Sequence, residues 1–233
     1  MTSPELTKYG FPVDAWRLLS PRLTDKRREK MDFVASHRTK MVRLILQDIY
    51  DPHNLSACLR SAEAFGVLDI DIVNLYQKFT KPSTVSRGSY NWLKMHRYTD
   101  LDKNVADLRA AGYKIAAGYP SPDNLSLDEI PVDQPVAVIF GNEHRGVSSD
   151  WDKHVDYKFT IPMVGMVESL NISVSAALAM YQLSQKSHKE LGDEKYYLNA
   201  SQKNELLSDW VCQNSRSHEK ELARLREQED KTP

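Results

Sequence analysis

The chain has 233 residues and a formal net charge of −1, with 31 Lys and Arg against 32 Asp and Glu. That length holds one generous domain with terminal extensions and a self-sufficient core, and the near-neutral balance gives no whole-chain nucleic-acid signal. No apolar run approaches the roughly 20 residues of a membrane span, the polar start Thr2–Lys8 lacks the apolar core of a secretory signal, and Cys58 and Cys212 stand apart without disulfide or ligand spacing. A cytosolic protein with two free thiols is expected.

Pro4, Pro12 and Pro21 punctuate the start, and a helix is predicted from about Leu23 to His37. Between Pro21 and Arg43 the basic residues Arg22, Lys26, Arg27, Arg28, Lys30, Arg38, Lys40 and Arg43 face only Asp25, Glu29 and Asp32. Residues 1–40 therefore read as an N-terminal arm, either electropositive or a solvated helix face with intrahelical ion pairs. A strand follows at Met41–Leu46. Asp51 is a good N-cap with Pro52 at the first helical position, and Leu55, Leu59, Ala62 and Phe65 recur at helical spacing, so a helix is predicted over Pro52–Phe65, closed by Gly66. Asp69–Val73 reads as a second strand and Tyr76–Tyr90 as a long surface connection. Strands at Trp92–Tyr98, Tyr113–Ala117, Pro135–Phe140 and Val155–Ile161 then alternate with helices at Asp100–Ala111 and Ser169–Ser187. Such alternation predicts an α/β fold, a parallel sheet covered by helices on both faces.

The last of these helices carries two apolar stripes, Leu170, Val174, Ala177 and Tyr181, and Ile172, Ala176, Met180 and Leu183. One sheet cannot bury both, so either a second subunit packs there, over the stripe containing Met180 and Leu183, or the C-terminal segment covers the helix. From Lys186 onward the chain is polar, with Leu206, Leu207, Trp210, Val211, Leu222 and Leu225 as anchors. Residues 41–187 are thus expected to form the main domain and 188–233 a helical C-terminal extension.

Asn54 and Arg60 lie six positions apart on one helix, a rise of about 9 Å, near an N-terminus whose positive end suits a phosphate. Gly141-Asn-Glu-His-Arg-Gly146 follows an apolar strand, where open α/β sheets bind ligands, which would put Glu143 in the crevice. Its glycines serve either a close backbone approach to a ligand or a plain tight turn. Neither a Gly-x-Gly-x-x-Gly fingerprint nor a phosphate loop is present. His53, His144 and His154 lack metal-ligand spacing, so no metal is predicted. Ser169, Ser173 and Ser175 lack the Gly-x-Ser-x-Gly context of a hydrolytic nucleophile and read as small residues for close packing.

Taken together and in order, Asn54-x-x-Ala57-x-x-Arg60, Gly141-x-Glu143-x-x-Gly146, and Ile161-Pro162-Met163 with Ser169-Leu170-Asn171 resemble the three motifs of the SpoU branch of the SPOUT methyltransferases, which methylate RNA ribose 2'-hydroxyls. The wording of Ile161–Val174 and of Gly88–Trp92 is most similar to the tRNA guanosine-2'-O-methyltransferases that act on the D-loop. The resemblance implies a homodimer with a C-terminal trefoil knot, S-adenosylmethionine as cofactor, and a D-loop guanosine at position 18 of tRNA as substrate. It also implies cofactor contacts from Gly118, Phe140, Gly141, Asn142, Glu143, Ile161 and Leu170. Relatives often carry a small hydroxyl residue where Gly118 stands, so only its backbone contact transfers. Family accounts make the first-motif arginine the activator of the hydroxyl, here Arg60. A guanidinium with a pKa above about 12 is a poor base, so the preferred role is to orient the hydroxyl and the adjacent phosphate. Asn54 and Asn171 would position it, while Glu143 and Ser169 order the site. Lys26, Arg27, Arg28 and Lys30 are expected to hold tRNA backbone. The alternatives are the same chemistry on ribosomal RNA, or a catalytically silent RNA-binding dimer.

Overall fold

The computed structural model describes residues 5–76, 88–215 and 217–229. Most of the connection expected between Tyr76 and Tyr90 therefore lies outside the described residues. The chain divides into two compact units, Met1–Arg38 with Tyr197–Pro233, and Thr39–Tyr196.

The first unit begins with α1 (Ala15–Leu19) and, after a 3-10 turn, α2 (Asp25–Ser36), which Thr24 caps by accepting from the Arg27 N–H. The second unit runs β1 (Val42–Gln47), α3 (Pro52–Ala64), β2 (Asp69–Val73), β3 (Lys94–Tyr98), α4 (Leu101–Ala110), β4 (Lys114–Gly118), β5 (Leu125–Ser126), β6 (Val136–Phe140), β7 (Tyr157–Thr160) and α5 (Ile172–Tyr196). The chain then returns to the first unit as α6 (Ala200–Gln213) and α7 (His218–Glu229).

The seven strands lie in the order β3-β2-β1-β6-β4-β7-β5, and every pairing is parallel. Both faces are covered, which is why the central strands read as continuous apolar runs. On one face Leu44, Leu46, Ile70, Val138 and Phe140 meet Leu55, Cys58, Leu59 and Ala62 of α3 and Ile172, Ala176, Met180 and Leu183 of α5. On the other, Ile45, Ile115, Ala117 and Ile139 meet Val105 and Leu108 of α4 and the fully buried Trp151. The two-residue edge strand β5 is too short for alternation to announce it.

Two expectations from sequence are corrected here. Met180 and Leu183 are fully buried against this chain's own sheet, and the stripe left outside is Val174, Leu178 and Tyr181, 46%, 43% and 50% exposed. The helix starts at Ile172, not Ser169, because Asn171 caps it, its Oδ1 accepting from the Ser173 N–H at 2.8 Å. It also runs past Ser187 to Tyr196, broken by Gly192 at φ 72°.

Nor does the basic run act as one arm. Arg43 is buried on β1, its Nε donating to Asp71 at 3.0 Å, and Asn104 donates to the other oxygen of Asp71 at 2.7 Å. Burial alone would lower the Arg43 pKa, but the pairing with Asp71 outweighs it and holds the guanidinium well above its ordinary value. Arg38 is buried in the first unit with its guanidinium 5.6 Å from the Trp210 ring.

In that unit α1 packs on α6 and α7, and α2 packs on α6, around Leu18, Leu19, Met31, Ala35, Leu206, Leu207, Trp210 and Leu222. Polar ties join the same segments: Thr7 Oγ1 donates to Asp209 at 2.6 Å, and Lys203 pairs with Asp32 at 2.8 Å. The first and last stretches of sequence thus build one helical unit. A helix as short as α1 is stable only through such packing.

Candidate active site

The site forms at the carboxyl ends of the central strands. In register, Leu46 faces Phe140, Ala117 faces Ile139 and Gly118 faces Phe159, so β1, β6, β4 and β7 end side by side. At the end of β1, Asp48 adopts φ 49°, the left-handed region that Asp tolerates better than most residues. Its carboxylate accepts from the backbone N–H groups of Leu75 and Tyr76 at 3.0 and 3.1 Å, and its carbonyl accepts from Asn142 Nδ2 at 2.9 Å.

Beyond β6 the loop Gly141–Gly146 closes on itself, with the Gly146 N–H donating to the Asn142 carbonyl at 2.8 Å. A Cβ on Gly141 would stand 2.0 Å from the Gly146 oxygen, so only glycine permits this turn. Asn142 fixes the loop from within, its Oδ1 accepting from the His144 and Arg145 N–H groups. Glu143 is thereby aimed at the start of α3. It accepts from the Tyr50 N–H at 3.1 Å, the Asp51 N–H at 3.2 Å and Asn54 Nδ2 at 2.9 Å. A carboxylate only accepts, so Asn54 must turn its amide nitrogen to Glu143 and its oxygen away. That oxygen accepts from Asn171 Nδ2 at 3.0 Å. One residue from each of three distant stretches of sequence thus joins a single polar chain, and Asn171 anchors its far end by capping α5.

Burial alone would raise the Glu143 pKa, but the donors on Asn54, Tyr50 and Asp51 outweigh it and hold the carboxyl below the ordinary glutamate value. Glu143 is therefore an ionised clamp, not a proton donor. It also supplies the anion beside the α3 N-terminus, where the sequence pointed to a phosphate.

Next to this chain lies a cleft of about 110 Å³, or about 460 Å³ counting its open mouth, lined by Gly118, Phe140, Ile161, Ser169 and Leu170. Those five were singled out from sequence. Met163, quoted in the third motif, and Ser175, read from sequence as a packing residue, line it as well, and so does Phe159, which was not singled out. Phe159 gave only a strand signal, and the register opposite Gly118 is what turns its ring into the cleft. Phe140 and Phe159 meet edge to face with centroids 6.0 Å apart. A Cβ on Gly118 would lie 3.1 Å from the Phe159 ring and 3.3 Å from the Phe140 ring, so the absent side chain leaves β4 backbone open to the cleft. Gly141, Asn142 and Glu143 hold the neighbouring loop and are not among the lining residues. Arg60 stands apart from both groups: it is exposed on α3, and no hydrogen bond or ion pair ties it to a described residue. Among the described residues no cluster of His, Cys, Asp or Glu is arranged to hold a metal ion.

The chain is similar to the tRNA (guanosine(18)-2'-O)-methyltransferase of Borreliella burgdorferi, 31% identical over 189 residues that cover 81% of this chain and 86% of that protein. Among solved structures, the A. aeolicus TrmH/SpoU tRNA modifying enzyme superposes with a TM-score of 0.71 at 26% identity, covering 81% of this chain and 96% of the other. The SpoU methyltransferase AviRb from Streptomyces viridochromogenes, in complex with the cofactor AdoMet, shares the fold with a TM-score of 0.59 at 23% identity over 65% of this chain and 62% of its own. Residues 41–181, which contain the Glu143–Asn54–Asn171 chain and the cleft beside it, match the SpoU rRNA Methylase family, and the protein belongs to that family.

Proposed function

We propose that the protein transfers a methyl group from S-adenosylmethionine to the 2'-hydroxyl of a guanosine in the tRNA D-loop, guanosine 18. The observation that carries this is the polar chain from Glu143 through Asn54 to Asn171, which ties one residue of each motif together beside a cleft lined by the third. The relative of that printed activity, matched over most of both chains, supports the substrate.

The cleft fits the cofactor. Its walls are apolar and aromatic for a base and a thioether, and the missing Cβ of Gly118 leaves backbone polar groups accessible at the strand ends. Gly118, Phe140, Ile161 and Leu170 would hold it, with the Gly141–Glu143 turn closing one side. Bound there, it supplies an electrophilic methyl group on a sulfonium. The ribose hydroxyl gives up its proton to solvent as its oxygen takes the methyl group, and charge is neutralised to the extent that this oxygen becomes an alkoxide, so orientation and a low-polarity cleft contribute most of the acceleration. Arg60 orients the hydroxyl and its phosphate, with Asn54 and Asn171 setting the acceptor side and Ser169 ordering the cleft rim. Glu143, held ionised by three donors, keeps the start of α3 in place.

The trefoil knot falls in the segment after β6. It is supported by the position of β7, a late strand inserted between β4 and β5, which precede it in the chain. A homodimer through α5 is supported by the exposed stripe Val174, Leu178 and Tyr181 and by Val164 and Met166 in the preceding loop, both fully exposed. Residues 41–187 carry catalysis, and the terminal segments contact tRNA through Lys26 and Lys30. Arg28 is tied to Asp25 at 2.7 Å, and Arg27 lines a cavity of about 330 Å³ beside Met31, so these two contribute less. No helix of the described residues is long and apolar enough to cross a membrane, and action on cytoplasmic tRNA is the corresponding location.

Incubation with labelled S-adenosylmethionine and separate unmodified tRNA and ribosomal RNA, followed by digestion and mass spectrometry, tests this. The expected product is 2'-O-methylguanosine from tRNA. A base-methylated nucleoside, or label in ribosomal RNA alone, overturns it.

A further inference from the structure

Lys26, Lys30, Phe33 and His37 follow one another along α2 and its C-cap at spacings of four, three and four residues, the spacing of a single helix face. All four are exposed. Phe33 is 64% exposed, an uneconomical place for a phenyl ring in a small helical unit that has its own core. Its ring is nevertheless ordered by neighbours. The His37 imidazole lies 4.2 Å away, centroid to centroid, at an interplanar angle of 35°, and Tyr197 meets His37 edge-on at 5.4 Å. The imidazole is itself fixed, since Nδ1 donates to the Phe33 carbonyl at 2.7 Å. A short ladder of aromatic rings, held in place but open on one side, therefore continues a pair of lysines.

The charge around it is uneven. Asp25 pairs with Arg28 and Asp32 with Lys203, so two of the three carboxylates on α2 are already engaged away from the stripe. Lys26 and Lys30 form no ion pair with a described residue. Cations interleaved with an exposed aromatic face are what an unpaired nucleotide segment requires: phosphates take the ammonium groups, and a base takes the ring. Lys26 to Phe33 spans about 10 Å along the axis, so both contacts fall on one short run of strand.

We infer that Lys26, Lys30, Phe33 and His37, with Tyr197 behind them, form a stacking platform for an unpaired base of the RNA other than the reacting nucleotide. The platform recognises single-stranded RNA and has no complement in an A-form duplex, whose bases are stacked on each other. It rests on the reading of RNA as substrate but not on methyl transfer.

Binding by the full chain is measured with a fluorescent oligoriboadenylate, an A-form RNA duplex and unmodified tRNA, alongside S-adenosylmethionine binding and thermal unfolding. Phe33→Ala and Phe33→Leu are each expected to weaken oligoriboadenylate and tRNA binding about tenfold, while Phe33→Tyr stays near the parent. Duplex binding, cofactor binding and unfolding temperature stay unchanged. Glu29→Gln, which removes the one carboxylate bordering the stripe, is expected to tighten binding. Leu in place of Phe restoring full affinity, Ala leaving it unchanged, or an equal loss on the duplex overturns the platform. A parent protein that binds RNA through Phe33 yet methylates no tRNA would leave the platform standing and sink the methyltransferase reading. Methylation of tRNA with affinity indifferent to Phe33 would do the reverse.

Discussion

Glu143 organises its surroundings by having nothing to donate: three N–H donors converge on it, and the direction of every amide out to Asn171 follows. In Glu143→Gln one carboxylate oxygen becomes an NH2 facing donors, which at neutral pH is expected to cost about 1–3 kcal/mol. Because the folded-state pKa lies below the ordinary glutamate value, the stabilisation is fully present above that range and is lost as pH falls through the folded value. The gap in unfolding temperature between parent and Glu143→Gln should therefore close on acidification. A gap that widens at low pH contradicts the ionised clamp. Gly141 and Gly118 separate in the same way by what a methyl group would strike. Gly141→Ala drives a Cβ into backbone and should cost about 3 kcal/mol or more in denaturant unfolding, whereas Gly118→Ala presses only on two rings and should cost about 1 kcal/mol. Arg60, exposed and tied to none of the described residues, should be removable without loss of stability. Arg60→Ala is expected to lower single-turnover methyl transfer by about 100-fold or more with cofactor binding unchanged. Near-parental turnover would take Arg60 out of the chemistry.

The start of α3 was readable from sequence because capping is local: Asp51 and Pro52 stand where the helix begins, and Asp51 accepts from the His53 N–H. The assignment of α5's two faces was not, since both are apolar and periodicity alone cannot say which one meets the sheet. Burial settles it, with Met180 and Leu183 inside and Val174, Leu178 and Tyr181 outside. A charge at Leu178 or Tyr181 is therefore expected to give folded monomers with little activity by light scattering and methyl-transfer assay. Met180→Glu should instead unfold the chain, because it places an unpaired charge in the core. Fully active monomers of Tyr181→Glu would remove α5 from the interface.

For the whole molecule, electrostatics is a matter of which basic residues remain at the surface. Arg38 and Arg43 are consumed by burial and Arg28 by Asp25, leaving Lys26 and Lys30 as α2 cations that face solvent with no acidic partner among the described residues. Replacing both by Ala should reduce the slope of log affinity for tRNA against log salt by about 0.7–0.9 per lost phosphate contact. Arg28→Ala should change it much less. An unchanged slope in the double variant would place the phosphate contacts elsewhere.

The sequence by itself determined the alternation of strands and helices, the parallel covered sheet, the caps and breaks at Asp51, Gly66 and Gly112, and the third-motif residues Ile161, Met163, Ser169 and Leu170 that line the cleft. Each of these rests on a period, a cap or a motif spacing that is written within a short stretch of chain. Only the tertiary structure decided that Asn54, Glu143 and Asn171, up to 117 positions apart, share one polar chain, and that Phe159 faces Gly118. It alone decided that the two ends of the chain build one helical unit, and which arginines are spent in the interior. These depend on register and on partners distant in sequence, where a shift of one residue on a strand exchanges one face for the other.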